Sequence, residues 1–270
     1  KIKLDTSGDF LQTRKLMREQ NLNTVCEEAR CPNIYECWSR NTATIMILGD
    51  TCTRSCRFCS VKTGKPHRVD IEEPRRTAKA VKSMKLRHVV ITSVDRDDLK
   101  EDFGANIWVE TIYQIRKHSP KCTIEVLTPD FYNYKPAYER VFEARPDIFS
   151  HNIECVERIS KQVRPQSDWK RSISVLKASI EWGLETKTGI MVGLGETDRE
   201  VLETMREATD LGITIINIGQ YLQPTINHLQ VQRFVHPDIF EMYREKGLKM
   251  GFRVIESGPL VRSSYHADEQ

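Results

Sequence analysis

The sequence has no long hydrophobic run and little net charge. Its longest apolar stretches have the length of a strand, which excludes a helix that spans a membrane. The first residues, Lys1 to Asp5, lack the hydrophobic segment of a signal peptide. Lysine and arginine total 41 against 38 acidic residues, and no basic run with interleaved aromatics occurs. We therefore predict a cytoplasmic protein with neither nucleic acid nor membrane as a partner.

Cysteine, in contrast, is plentiful and unevenly placed. Six of the eight cysteines lie within residues 26–59 and nothing signals export, so metal-bound thiolates fit better than disulfides. Cys52, Cys56 and Cys59 have C-x3-C-x2-C spacing and follow Ala43–Gly49, a β-branched run that predicts a buried strand. Three thiolates this close suit an iron–sulfur cluster. Without a fourth cysteine in register, one iron of a four-iron cluster stays open to an outside ligand.

A second triple of cysteines stands upstream of the first. Cys26, Cys31 and Cys37 have C-x4-C-x5-C spacing, and two independent triples argue against accidental free thiols. A structural zinc site is the alternative, although each triple lacks a fourth ligand and zinc loops usually supply ligands in two separated pairs. A zinc- or cluster-stapled electron-transfer module is the non-enzymatic alternative, although the ferredoxin run C-x2-C-x2-C-x3-C-P is absent.

Strand-like and helix-like segments alternate after the cysteines. Segments rich in valine and isoleucine predict six buried strands, at Ile45–Leu48, His88–Ser93, Thr123–Thr128, Ile148–Ile153, Thr188–Leu194 and Ile213–Gly219. Amphipathic stretches predict helices at Thr77–Met84, Val109–Lys117, Trp169–Trp182 and Glu200–Leu211. Phe252–Ile255 is a candidate for an extra edge strand.

This alternation predicts the α/β class with a parallel sheet. Six units are fewer than the eight of a closed barrel, so we predict a partial (β/α)6 TIM-like barrel. We place an N-terminal extension at residues 1–43, the barrel at 44–250 and a C-terminal segment at 251–270. The N-terminal extension contains the second triple of cysteines.

The C-x3-C-x2-C motif, with Phe58 before its last cysteine, resembles the signature of the radical SAM enzymes. In that family three cysteines bind a [4Fe–4S] cluster whose open iron binds S-adenosylmethionine (SAM). An electron from the cluster cleaves SAM, and the resulting 5′-deoxyadenosyl radical takes hydrogen atoms from unactivated carbon. The resemblance implies that Cys52, Cys56 and Cys59 bind this cluster and that Phe58 lies by the cofactor.

The two triples together, with C-E-E-A-R-C-P-N at the upstream one, resemble a narrower family, the lipoyl synthases. The likeness extends over nearly the whole chain, through Val89–Leu99, Gly189–Glu196, Gly219–Pro224 and Arg262–Ala267. It implies a second [4Fe–4S] cluster on Cys26, Cys31 and Cys37, whose sulfides are the sulfur source. The R-S-S-Y motif implies Ser264 as its fourth ligand. Cys122 and Cys155 are competing candidates, but both lie in strand-like runs, where a buried thiol is commoner.

The resemblance also implies the reaction and its partners. Two sulfur atoms enter C6 and C8 of an octanoyl group on a lysine of a lipoyl carrier protein. The carrier is a glycine-cleavage H protein or the lipoyl domain of a 2-oxoacid dehydrogenase, and the electron donor is a reduced ferredoxin or a flavodoxin-like protein. The alternative is another radical SAM enzyme with an auxiliary cluster, which inserts sulfur or transfers a methylthio group. No side chain is expected to act as a general acid or base.

Polar residues at the ends of the predicted strands are candidates for contact with SAM, because active sites of such barrels form there. Thr92, Ser93 and Asp95 lie at the end of the second strand, and a helix N-cap cluster is an equal alternative for them. Asn152 and Glu154 lie around the end of the fourth strand, with a network inside the barrel as the alternative. Arg164 suits the SAM carboxylate as a bidentate donor, although a lone arginine is more often on the surface.

Two later segments complete the SAM candidates. The resemblance places Gly189, Met191, Gly193 and Glu196 against the adenosine, whereas the sequence alone also fits an ordinary strand-to-helix turn. Gln220 and Leu222 follow the sixth strand, where Leu222 also fits core packing. The chain departs from the family pattern at Phe103, where a glycine is usual, and at Ser150, where an asparagine is usual. If that glycine has a positive φ, we expect the loop near Phe103 to run differently.

Overall fold

Strands and helices alternate along the chain in the computed structural model. The structure describes residues 14–15, 17–20, 22–28, 31, 33–39 and 42–270. The strands are β1 (Asn23–Thr24), β2 (Ala43–Ile47), β3 (Thr51–Cys52), β4 (Lys62–Thr63), β5 (His88–Ser93), β6 (Thr123–Leu127), β7 (Ile148–Ser150), β8 (Thr186–Val192), β9 (Ile215–Gln220) and β10 (Val254–Gly258). The helices are α1 (Val25–Glu28), α2 (Ile34–Ser39), α3 (Glu73–Ser83), α4 (Ala105–His118), α5 (Lys135–Glu143), α6 (Glu157–Val163), α7 (Trp169–Glu181), α8 (Asp198–Leu211) and α9 (Pro237–Met250).

The chain divides into two compact units. The first contains the described residues up to Arg54, then 61–147 and 266–269, and the second contains 55–60, 148–265 and Gln270. Residues 1–13 of the predicted N-terminal extension lie outside the described residues. The three-part division at residues 43 and 250 therefore stays a prediction.

The first unit is built on a sheet in which β2 is buried along its whole length. β2 pairs antiparallel with β1 and parallel with β5, and β5 pairs parallel with β6. Helices α3 and α4 pack on each other and turn apolar faces inward, with Val81 on α3 and Trp108 and Ile112 on α4. Pro74 lies in the first turn of α3, where its missing N–H leaves no helical hydrogen bond unmade.

The second unit is a parallel sheet of β7, β8, β9 and β10 in that order. Its core joins Ile190 of β8 and Ile218 of β9 to Met205 of α8 and Phe240 of α9. Helix α8 begins with a capping box between Thr197 and Glu200. Because neighbouring strands are parallel, their carboxyl ends, and the polar residues that follow them, lie on the same edge of this sheet.

All six predicted strands are present, and the predicted edge strand is β10, which pairs with β9. The predicted α/β class with parallel strands is therefore confirmed. The fourth strand ends at Ser150, three residues before its predicted end, and Glu154 then adopts a left-handed φ of 68°. Helices α5, α6 and α9 were not predicted. No helix in the described ranges is long and apolar enough to cross a membrane.

The loop before α4 resolves the departure at Phe103. Phe103 has a φ of 52° and Gly104 a φ of 86°, so the phenylalanine itself adopts the left-handed conformation that a glycine would allow. Its buried ring stacks on Tyr132, with centroids 6.0 Å apart, and lies 5.9 Å from the ring of Tyr134. Packing of this ring stabilises a backbone conformation that is strained for a side chain with a Cβ.

Candidate cluster and cofactor site

Cys52 ends strand β3 in the first unit, and its sulfur receives two backbone hydrogen bonds. The N–H of Arg54 lies 3.4 Å from the sulfur and the N–H of Asp95 lies 3.3 Å from it. Hydrogen bonds to a sulfur favour its charged thiolate form and tune a bound cluster. The Cys52 thiol in turn donates to Oδ2 of Asp95 at 3.7 Å, and iron bound at this sulfur would replace that proton.

Arg54, between Cys52 and Cys56 in sequence, anchors this loop in the first unit. Its guanidinium donates to both carboxylate oxygens of Asp97, at 2.7 and 2.8 Å, and to Asp130 at 2.6 Å, and lies 3.3 Å from Asp95. The arginine side chain is 1% exposed and Asp130 is 0% exposed. Burial alone would lower the pKa of Arg54, but Asp95, Asp97 and Asp130 raise it, so the guanidinium stays charged.

Cys56 and Cys59 lie in the second unit on a tightly held turn. The N–H of Cys59 donates to the carbonyl oxygen of Cys56 at 3.1 Å. Between them, the N–H of Arg57 donates to Val163 at 2.9 Å, and its carbonyl accepts from Leu229 at 3.1 Å. Phe58 packs against the core of the unit, and both cysteines remain partly exposed. The turn thus fixes the backbone and leaves the two thiols accessible.

Two of the three upstream cysteines lie on short helices of the first unit. Cys26 is in α1, Cys37 is in α2, and the N–H of Cys31 donates to the carbonyl of Cys26 at 3.0 Å. Burial, and after it the charge of Cys31, raise the pKa of Cys26 to about 11 even though hydrogen bonds with Thr44 and Trp38 act in the opposite direction. The Cys26 and Cys31 sulfurs are therefore close enough to influence each other. A bound iron centre would supply the positive charge that such thiolates require.

None of the eight cysteines, all of which lie among the described residues, forms a disulfide bond. Within the described part of the chain, no group of three or more His, Cys, Asp or Glu side chains lies close enough to hold one metal ion. The role of the two cysteine triples as cluster ligands therefore stays a prediction from their spacing.

The SAM candidates of the first unit lie at the end of β5, where Thr92 and Ser93 are its last residues and Asp95 follows it. The hydroxyl of Thr92 donates to the carbonyl of Leu127 at 3.0 Å, and Asp95 contacts the cysteine loop. The alternative of a helix N-cap is wrong for Thr92, Ser93 and Asp95, because the next helix, α4, begins only at Ala105. Their contact with SAM stays a prediction.

Arg164 and Glu154 shape the end of β7 in the second unit. Arg164 is buried, which makes the surface alternative wrong, and it donates to the carbonyls of Asn152 and Ile153 at 3.2 and 3.4 Å. The backbone of Glu154 bonds to Gly189 and Met191 of β8. These contacts support the alternative of a buried network, and contact of either side chain with SAM stays a prediction.

The segment after β8 is a closed turn. The Glu196 carboxylate accepts the N–H groups of Gly193 at 2.7 Å and Leu194 at 2.9 Å. A Cβ on Gly193 would collide with the amide of Gln220 and the carbonyl of Arg233, so only glycine fits. The Gln220 amide in turn donates to Arg233 at 3.0 Å, and Leu222 is half-exposed. Glu196 and Gln220 thus hold the backbone that the resemblance places against the adenosine.

Sequence reasoning missed four polar residues, Arg54, Asp97, Asp130 and Asn217. A signal existed for Asn217, which is a single amide inside the otherwise apolar run Ile215–Ile218. Arg54 lies inside the cysteine motif, but nothing local indicates its carboxylate partners.

Comparison with known proteins defines the class first. The family described as the radical SAM superfamily matches residues 46–208. Methylornithine synthase, whose crystal structure is known, shares 14% sequence identity with this chain. The structural match has a TM-score of 0.59 and covers 95% of this chain and 80% of the methylornithine synthase chain. The chain has the α/β fold of radical SAM enzymes, which confirms the predicted fold class.

Two lipoyl synthases are much more similar to this chain in sequence than methylornithine synthase is. The lipoyl synthase of Rubrobacter xylanophilus is 53% identical over 272 residues, which cover 100% of this chain and 84% of the relative. The lipoyl synthase of Halalkalibacterium halodurans is 51% identical over 273 residues, which cover 100% of this chain and 90% of the relative. The chain belongs to the lipoyl synthase family, an enzyme family that uses SAM and an iron–sulfur cluster.

Proposed function

We propose that this protein inserts two sulfur atoms, at C6 and C8, into an octanoyl group carried on a lysine of a lipoyl carrier protein. The observation that carries the proposal is that about half of the residues, over the full chain, are identical to those of lipoyl synthases. The carrier is a glycine-cleavage H protein or a lipoyl domain of a 2-oxoacid dehydrogenase. The reductant is a ferredoxin or a flavodoxin-like protein.

Cys52, Cys56 and Cys59 would hold the cluster that binds SAM. When bound and reduced by the external donor, this cluster would supply one electron for the cleavage of SAM to methionine and the 5′-deoxyadenosyl radical. The chain's own contribution is positioning: two N–H groups fix the Cys52 sulfur, and the backbone of Arg57 is held from both sides. Hydrogen-atom abstraction needs no general base, so protein groups bind, orient and exclude water.

Cys26, Cys31, Cys37 and Ser264 would hold the second cluster, which is a substrate because its sulfides enter the product. A serine oxygen is a harder donor than a thiolate and matches iron of a sulfide cluster less well. This weaker ligand suits a cluster that is dismantled during the reaction. Cys122 and Cys155 are the rival fourth ligands, and both are buried.

Replacement of Ser264 tests this assignment. With an octanoyl-lysyl peptide, SAM and a reductant, we expect Ser264→Ala to cleave SAM but to lose about tenfold or more of the dithiolated product. The matched controls Cys122→Ala and Cys155→Ala should keep the product yield. Unchanged yield in Ser264→Ala would remove Ser264 from the site, and SAM turnover by the parent protein without sulfur transfer would reject the proposed function.

A further inference from the structure

An asparagine in the middle of β9 holds the C-terminal segment. Asn217 is 3% exposed and lies between Ile216 and Ile218, in a strand that is buried at every residue. Its Nδ2 donates to the carbonyl oxygens of Arg262 and Ser263, each at 2.9 Å. One amide that binds two successive carbonyls fixes the register of the segment, because a shift along the strand breaks both bonds.

Two neighbouring contacts fix the same short segment. Nδ2 of Asn152, at the end of β7, donates to the hydroxyl of Ser263 at 2.7 Å. Gly219 lets the segment lie directly on β9, since a Cβ there would collide with the carbonyl oxygen of Val261. The contacts therefore fix residues 261–263, which immediately precede Ser264 in the chain.

Stability of the core does not explain this asparagine. The Oδ1 atom of Asn217 is buried and has no hydrogen-bond partner among the described residues. An unsatisfied buried amide oxygen is destabilising, so an apolar side chain would serve a strand between isoleucines better. The amide is accounted for by the backbone carbonyls that it holds.

We infer that Asn217 is a positioning residue that sets the register of residues 261–263 and so presents Ser264 to the auxiliary cluster. The inference rests on the proposed function, which takes Ser264 as a cluster ligand. Asn217 acts through the segment and touches neither SAM nor the reacting carbon in this account.

Two variants disturb the contact from opposite sides. Asn217→Leu removes both hydrogen bonds of Nδ2 and places an apolar side chain in an apolar strand. Gly219→Ala keeps the Asn217 amide, but its Cβ pushes residues 261–263 away from β9. Asn227→Leu is the matched control, since Asn227 is an exposed asparagine of the same unit. Each variant is purified anaerobically as the full chain with its clusters.

Three measurements are made on each variant: amide hydrogen exchange of peptides that cover residues 260–266, iron and sulfide content with the spectrum of each cluster, and SAM cleavage. We expect exchange to rise about tenfold or more in both test variants, the auxiliary cluster to lose occupancy by about tenfold, and SAM cleavage to persist. Asn227→Leu should match the parent protein.

Unchanged exchange at residues 260–266 in Asn217→Leu overturns the inference. It is also overturned if exchange rises while the auxiliary cluster stays fully occupied, and that result would leave the proposed function intact. If the parent protein forms no dithiolated product but the variants still lose the auxiliary cluster, the proposed function fails and the positioning role of Asn217 stands.

Discussion

Removal of the Arg54 guanidinium should destabilise the first unit strongly. Arg54→Met keeps a long apolar stem but leaves Asp130, which is 0% exposed, without its cation. Loss of one partner from a buried ion pair costs about 3–5 kcal/mol. Asp95 and Asp97 are 21% exposed and regain part of their hydration, so we expect the lower end of that range, about 3 kcal/mol.

Arg57→Met is the matched control, because Arg57 lies in the same cysteine loop but is exposed. Its removal should change the free energy of unfolding by about 0.5 kcal/mol or less. Arg54→Lys should lie between the two, because lysine keeps the charge but not the bidentate geometry to Asp97. Denaturant titrations under anaerobic conditions, with iron content measured on the same samples, provide the comparison.

The reasoning also predicts a loss of iron. Without Arg54 the loop that carries Cys52 loses its contacts with Asp97 and Asp130, so iron content should fall in Arg54→Met but not in Arg57→Met. If the two methionine variants unfold at the same denaturant concentration and hold equal iron, the buried carboxylates do not depend on Arg54. The assignment of this residue as the loop's anchor would then be refuted.

Two further predictions use pKa shifts and backbone geometry. Burial raises the pKa of Cys122 to about 11 and that of Cys155 to about 12. Alkylation of these two thiols by iodoacetamide in the folded protein should therefore be slow at neutral pH. The alkylation rate should rise about tenfold per pH unit until the pH reaches the pKa of each thiol. Labelling as fast as that of a denatured control would contradict this. The backbone at Phe103 has a φ of 52°, which is strained for any residue with a Cβ. Phe103→Gly should therefore be about 1 kcal/mol more stable than Phe103→Ala, because both variants lose the ring and only alanine keeps this backbone strain. Equal stabilities of the two variants in thermal unfolding would contradict this prediction.

Sequence reasoning located the strands because buried parallel strands are continuous apolar runs, as in His88–Ser93. It missed α9, where helix-forming residues lie among charges and the apolar period is weak, and it missed α5 and α6, which are short. The end of β7 was placed too late, because the left-handed turn at Glu154 has no glycine to signal it. Elements with a local sequence pattern could be predicted, whereas a backbone conformation that tertiary packing imposes could not.

The same distinction between local patterns and long-range contacts applies to the residues of the candidate site. The cysteine triples are patterns within a few residues, so spacing alone suggested them. The partners of Arg54 lie 43 and 76 residues away in sequence, and Asn217 meets its carbonyls 45 and 46 residues away. Only the folded chain brings such groups together, and a single sequence does not contain that information.

The most direct test of the account counts iron and sulfide before and after one turnover with an octanoylated carrier. Anaerobically purified protein should be brown and hold about eight irons, as two four-iron clusters require. One cluster should disappear for each lipoyl group formed, and Ser264→Ala should show no such coupling. A colourless protein filled with zinc, or lipoyl formation with both clusters intact, would contradict the account.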